Sequence, residues 1–150
     1  MSRQIGRYHD VLTSLSDWIA HQDQIIIDEA MQEADQIIIL NQDDQLQKGI
    51  DANGRKIEPP YRPLTVALKT LKHQPVDRVT LKDEGTFYNK MKVERASKGI
   101  YVDSSDKKTE KLVTKYGEDI FGLTEENIGE FSEHYLGPRI QERFRKEMLA

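Results

Sequence analysis

A chain of 150 residues with 37% apolar side chains is one domain's worth of sequence, long enough to bury roughly 70% of its unfolded surface without covalent staples. It has no cysteine, which excludes a disulfide framework and a thiolate site. No apolar run approaches the ~20 residues of a membrane span, and the opening MSRQIGRYHD lacks the apolar core of a signal peptide. The net charge of −4 hides an asymmetry: residues 1–50 hold 3 basic and 9 acidic side chains, residues 51–100 hold 11 and 6, and residues 101–150 hold 8 and 11. Either the blocks neutralise one another within the subunit, or the basic middle faces an acidic partner, another subunit or nucleic acid.

The first predicted element is a helix. Ile5, Tyr8, Leu12, Leu15, Trp18 and Ile19 recur at spacings of mostly three and four, and the stripe continues through Ile26, Ile27, Ala30 and Ala34. With no Gly or Pro between Gly6 and Gly49, the pattern predicts one long helix from about Tyr8 to about Leu40, with room for a bend. Ile25–Ile27 and Ile37–Ile39 form two triplets wider than a single stripe. They belong either to ordinary core or to a subunit interface, where Ile25 and Ile37 are the candidates.

Asn41 is a plausible N-cap, with Asp44 three positions on, for a short helix that ends at Gly49. Asn53-Gly54 marks a turn. Pro59, Pro60 and Pro63 enforce an extended, ordered wrapping segment in which Tyr61 and Leu64 are too apolar to float freely. Thr65 opens a short helix, Val66 to Lys72, stopped before Pro75. "KMKVERA" and "GIYVDS" both show period two and meet at a turn around Gly99, a β-hairpin. Ser105 or Asp106 caps the next helix, and Gly117 stops it. Thr124 caps the last helix, whose apolar face is Ile128, Phe131, Tyr135, Ile140, Phe144 and Met148; Gly137-Pro138 must kink or split it.

Chemical motifs are sparse. The four histidines lack ligand spacing; His73 with Asp77 or Asp83 is the one acid–base pairing worth naming. Asp43-Asp44 lacks the further ligands and the glycine of a calcium loop. Lys69, Lys72, Arg78, Lys82, Lys90, Lys92, Arg95 and Lys98 can touch DNA phosphates without a recognition motif, or form a solvated basic face. No catalytic, cofactor or metal residue is assigned. In "VTLKDEGTFYNKMKV", Gly85 permits a sharp turn after Asp83, and Phe87 and Tyr88 then plug the underside of the sheet.

The order of these elements, with Leu81, Asp83, Gly85 and Phe87 before the hairpin and Ile120-Phe121-Gly122-Leu123 before the last helix, resembles the virion morphogenesis and tail-completion proteins of tailed bacteriophages. Their pattern is L-x-D-T-G-x-[LF]-x-x-S; here Glu84 replaces Thr and Asn89-Lys90 replaces the Ser region. The resemblance covers most of residues 40–150. It implies a structural protein of the virion, at the head–tail connector, the neck or the tail end, assembled in the bacterial cytoplasm. It further implies a ring of identical subunits bridging portal or adaptor to tail-tube proteins, with nonspecific DNA contact in a channel as an option and no membrane. The alternatives are a small mobile-element enzyme or effector using His73, and a nonspecific DNA-binding accessory protein.

The expected fold is therefore α+β in a single domain, residues 1–150. Residues 1–40 form an N-terminal helical arm, and residues 41–150 form a body with a small antiparallel sheet and a C-terminal helix packed on it. Lys90, Lys92, Arg139 and Arg143 join Ile25, Ile37, Tyr61 and Leu64 as interface candidates.

Overall fold

The computed structural model describes residues 17–149 apart from Ile19 and Lys98. The part of the expected arm before Asp17 lies outside the described residues. Within them the arm is not one long helix. Helix α1 spans Gln22–Gln32, the chain leaves helical geometry at Glu33 (φ −107°, ψ 25°), and α2 spans Ala34–Ile39. The break has an electrostatic partner, since the Glu33 carboxylate accepts from Arg139 at 3.2 Å. It also lets both isoleucine triplets send a residue inward: Ile25, Ile27 and Ile37 are buried, whereas Ile26 and Ile39 are 39% and 45% exposed.

From α2 the chain runs without interruption into a π-helical turn, Leu40–Gln45, and a short 3₁₀ turn, Leu46–Lys48. Asn41 therefore starts no helix. It lies inside a continuous one, fully buried together with Gln45, and both serve as hydrogen-bonding groups of the core. The Asn41 Nδ2 donates to the Ile120 carbonyl at 3.1 Å, and its Oδ1 accepts the Gly122 N–H at 2.9 Å. The Gln45 Nε2 donates to the Gly122 carbonyl at 2.8 Å, and its Oε1 accepts from Thr124 N at 2.9 Å and Asn127 Nδ2 at 2.8 Å. Two amides four positions apart thus satisfy the extended connector 120–124, whose peptide groups have no strand beside them. The i, i+4 spacing puts both amides on one side of the helix.

The next helix, α3, spans Pro63–Leu71 with Pro63 in its first turn, where a missing N–H is harmless. A one-turn helix α4, Thr86–Asn89, leads into the hairpin of β1 (Met91–Ala96) and β2 (Gly99–Ser104). The strands are antiparallel with Val93 opposite Val102 and Ala96 opposite Gly99, the expected hairpin. Helices α1 and α2 cover the face carrying Met91, Val93, Ile100 and Val102. The reverse face carries Lys92, Glu94, Tyr101 and Asp103.

Helix α5 spans Thr109–Tyr116, later than a cap at Ser105 or Asp106 would place it. The Asp106 carboxylate instead accepts the Lys108 N–H at 2.8 Å, forming a turn ahead of the helix. Gly117 ends α5 at φ 94°. Thr124 caps α6, Glu125–Phe131, through its hydroxyl to the Asn127 N–H at 3.1 Å. A second π-helical turn, Ser132–Leu136, joins α6 to α7, Gly137–Leu149. The chain stays helical through Gly137-Pro138 because the widened turn makes room for the proline ring.

The last helix expected from Thr124 onward divides: its first half, α6 and the π turn, puts Phe131 in the same core cluster as Val102 of β2, whereas α7 packs on α1. Arg139 and Arg143 hold the carboxylates of α1, and the Phe144 ring meets Trp18, which precedes α1, edge-on at 5.3 Å. Charge explains the choice: α7 has a basic face and little buried apolar surface, whereas α1 offers Asp28, Glu29 and the nearby Glu33. The core proper lies between α2, the π turn, the loop 79–81, α4, the hairpin and Ile120, with Leu46, Ile57, Val79 and Ile120 almost fully enclosed.

Candidate interaction surfaces

The stretch 79–88 is built around one peptide. The Tyr61 hydroxyl accepts the Thr80 N–H at 2.9 Å, and the Tyr88 hydroxyl donates to the Thr80 carbonyl. Burial pushes the Tyr88 phenol well above its ordinary pKa, since a phenolate there would lose its water. Gly85 adopts φ 89° and starts α4, which sends Phe87 and Tyr88 into the core. Phe87 lies 5.7 Å from the ring of Phe121, and Ser104 Oγ donates to the Phe87 carbonyl at 3.0 Å, tying the plug to β2. Asp83 stays outside, 2.7 Å from Lys72 Nζ; that hydrogen bond lowers its pKa and raises that of Lys72. These residues organise structure, and Tyr61, Asp83, Gly85 and Phe87 also line a pocket of about 200 Å³ together with Lys69, Lys82 and Lys108.

Two apolar surfaces stand out among the described residues. One is a groove of about 340 Å³ along the outer side of β2, between α1 and α6. Ile27, Ile37 and Phe131 form its floor, and Ile26, Tyr101 and Ile128 stand half exposed around it. The other is a ridge on α3. Leu64, Leu68 and Leu71 are 72%, 51% and 78% exposed, and their i, i+4, i+7 spacing puts them on one face. The helix is turned inside out: its one buried residue is Lys69, whose ammonium donates to the Lys82 carbonyl at 3.0 Å and lies over the Tyr61 ring. Three leucines in water on a nine-residue helix form a contiguous patch of the kind that marks an interaction site.

The interface candidates divide. Leu64 lies on the ridge. Tyr61 is engaged inside the subunit by Thr80 and Lys69. Ile25 and Ile37 are buried in the fold, and Ile37 forms part of the floor of the groove. Arg139 holds Glu29 at 2.9 Å and Glu33, and Arg143 reaches Asp28, Glu29 and Glu147, so both are committed to the α1–α7 contact. Lys92 pairs with Glu94 on its own strand, and Lys90 is exposed with no ion pair among the described residues.

Among the described residues one ion pair joins the acidic first third to the basic middle. Asp28 accepts from Arg95 of the basic middle as well as from Arg143, and the Arg95 hydrogen bond holds its carboxyl below the ordinary value. Among the residues considered for DNA, Lys72, Arg78, Lys92 and Arg95 are ion-paired, Lys69 is buried, and Lys98 lies outside the described residues.

His73 occupies the left-handed residue (φ 57°) that ends α3. Its N–H donates to Thr70 O at 3.1 Å and the Gln74 N–H to Lys69 O at 2.9 Å, the paired bonds of a Schellman motif. The acids named with it are engaged elsewhere, Asp77 with Arg78 and Asp83 with Lys72. No group of three or more potential metal ligands occurs among the described residues.

The ridge was only partly legible. Leu64 stood out because of its proline-rich surroundings. The sequence does not single out Leu71, and only the tertiary position of Lys69 reveals which face of α3 points out. The amide pair Asn41 and Gln45 carried no signal beyond an i, i+4 spacing. Compared with known proteins, the chain matches no protein-family model, no curated protein and no solved structure.

Proposed function

We propose that this protein is a structural subunit of a tailed-phage virion, of the head–tail connector or tail-completion class, and that it works by binding as one member of a ring of identical subunits. The observation that carries the reading is the outward leucine face of α3: a chain that spends Lys69 on its interior and leaves Leu64, Leu68 and Leu71 in water is built to be covered. The Leu81–Phe87 and Ile120–Leu123 steps, which carry the resemblance, support it by serving as the turn, plug and connector of a rigid body that presents this helix. A ring subunit needs such rigidity, since the angle between copies sets closure.

The test is to purify particles from a lysogen or infected culture, identify the chain among the particle proteins and locate it by electron microscopy. The reading expects the chain as a ring at the neck or tail end, and particles without joined tails when its gene is interrupted. Complete infectious particles from the interrupted strain would overturn it.

A further inference from the structure

The groove and the ridge belong to different parts of the surface. No residue of segment 59–76 lines the groove, so a contact between ridge and groove on separate copies is heterologous and can propagate. We propose that the Leu64–Leu68–Leu71 ridge of one copy seats in the groove between α1, β2 and α6 of the next.

Shape and polarity agree. The ridge is a short convex helix face carrying aliphatic side chains only. The groove is concave and apolar, walled by Ile26, Ile27, Val93, Ile100, Ile128 and Leu136. Ile26, Tyr101 and Ile128 ring it in the way that contacts excluding water surround the centre of an interface.

Charge selects this occupant. Segment 59–76 contains Arg62, Lys69 and Lys72 and no acidic residue; Lys69 is buried and Lys72 is paired with Asp83, so Arg62 is the basic group this segment presents. Asp23 of α1 lines the groove, and α6, which walls it with Ile128 and Phe131, also carries Glu125, Glu126 and Glu130, with Glu133 next in the π turn and no basic residue over 121–133. Glu125, Glu126 and Glu133 make no ion pair among the described residues, and neither does Arg62. Exposed pairs add little affinity, so leucine burial supplies the attraction and charge fixes direction, basic ridge to acidic rim. Pairing two ridges or two grooves would juxtapose like charges.

This contact rests on the ring reading but is tested separately, by complementation in solution. Leu68→Ser with Leu71→Ser disables the ridge and leaves the groove intact; Ile26→Ser with Ile128→Ser disables the groove and leaves the ridge intact. All four side chains are more than a third exposed, and circular dichroism checks that both variants fold. In sedimentation at millimolar protein, the wild type is expected to self-associate. Each variant alone should associate weaker by on the order of tenfold or more. An equimolar mixture should recover association and stop at the dimer, since each mixed pair holds one intact ridge and one intact groove.

Folded variants that associate like wild type, or a mixture that stays monomeric, overturn the proposal. So does a monomeric wild type, whether residues 1–16 of the same chain or a different protein cover the groove. The two readings fail differently. Ring particles that incorporate both variants normally reject this contact and leave the virion role standing. Complementation in solution by a chain missing from particles does the reverse.

Discussion

Asn41 and Gly122 are joined as two strands would be: the side-chain amide accepts the Gly122 N–H at 2.9 Å and donates to the carbonyl two residues earlier, Ile120, at 3.1 Å. A side chain stands in for a neighbouring peptide, with Asn41 and Ile120 fully buried and Gly122 half-buried. Asn41→Ala leaves the buried Ile120 carbonyl and the half-buried Gly122 N–H without this partner, a full loss costing about 1–3 kcal/mol. We expect a loss of about 2–4 kcal/mol in urea unfolding, read as a lower midpoint at unchanged slope. Asn41→Asp keeps the acceptor for Gly122 but sets a carboxylate against the Ile120 carbonyl, and it should rescue little. A loss below about 0.5 kcal/mol for Asn41→Ala would mean that the connector is held by Gln45 alone.

Two glycines separate backbone conformation from space. Gly85 (φ 89°) has nothing closer than Asn89 Nδ2, at 4.0 Å, to an added Cβ, whereas at Gly49 (φ 73°) that atom would sit 2.8 Å from Arg78 Cβ. Gly85→Ala should therefore show the left-handed penalty alone, about 1–2 kcal/mol. Gly49→Ala should cost more, since Arg78 must also give up its hydrogen bond to the Gln47 carbonyl or move. Equal losses in thermal melts would show that the Arg78 side chain shifts without cost.

The hairpin, the Thr124 cap and the turns at Gly85 and Gly117 were legible because each depends on neighbours in sequence: alternation, a hydroxyl before a helix, a residue without Cβ. The extent of α1 was not, since its end at Glu33 accompanies an ion pair with Arg139, 106 positions away. The placement of α7 was misread for the same reason. Its apolar periodicity suggested a sheet partner, but its arginines find the carboxylates of α1 first. Candidate surfaces fared similarly. Periodicity identifies an apolar residue without saying whether its face turns in: Ile37, open between core and interface in sequence, is buried, and Leu68 is half exposed.

Acid should loosen the α1–α7–hairpin contact. Hydrogen bonding from Arg95, and less so from Arg143, holds the Asp28 pKa below its ordinary 3.8. The unfolded chain then takes up the proton first as pH falls. This contribution is present above about 3.8 and is lost as pH drops through the folded value. Asp28→Asn should flatten the acid limb of the stability curve and change little at neutral pH, because the pair is exposed. An acid limb identical to wild type would assign the slope to other carboxylates.

Alkali acts on the clamp around Thr80. Burial raises the Tyr88 pKa above the ordinary 10.0, so the unfolded chain loses its phenolic proton first as pH rises. Stability is full below about 10 and declines progressively above it, towards the folded value. Tyr88→Phe removes both the hydrogen bond to the Thr80 carbonyl and this titration. At neutral pH it should lower stability by about 1–3 kcal/mol, the cost of the orphaned carbonyl. Above pH 10 the gap to wild type should narrow. A constant gap across that range would show that the Tyr88 phenol ionises as readily folded as unfolded.

His73 offers a gain. It holds φ 57° at the end of α3, where glycine is the usual residue, and its imidazole is exposed. The Schellman bonds from His73 and Gln74 to Thr70 and Lys69 are made by backbone N–H groups, so they survive replacement of the side chain. His73→Gly relieves the left-handed strain, about 1–2 kcal/mol, and returns part of it as greater freedom of the unfolded chain. The expected net is a stabilisation of about 0.5–1 kcal/mol, measured as a higher urea midpoint, with self-association through the leucine ridge unchanged because the helix keeps its end and its orientation. A lower midpoint would show that the imidazole makes a contact that matters. Unchanged stability with lost association would place His73 itself in the interface beside Leu71, and would separate the helix's role as a rigid support from its role as a surface.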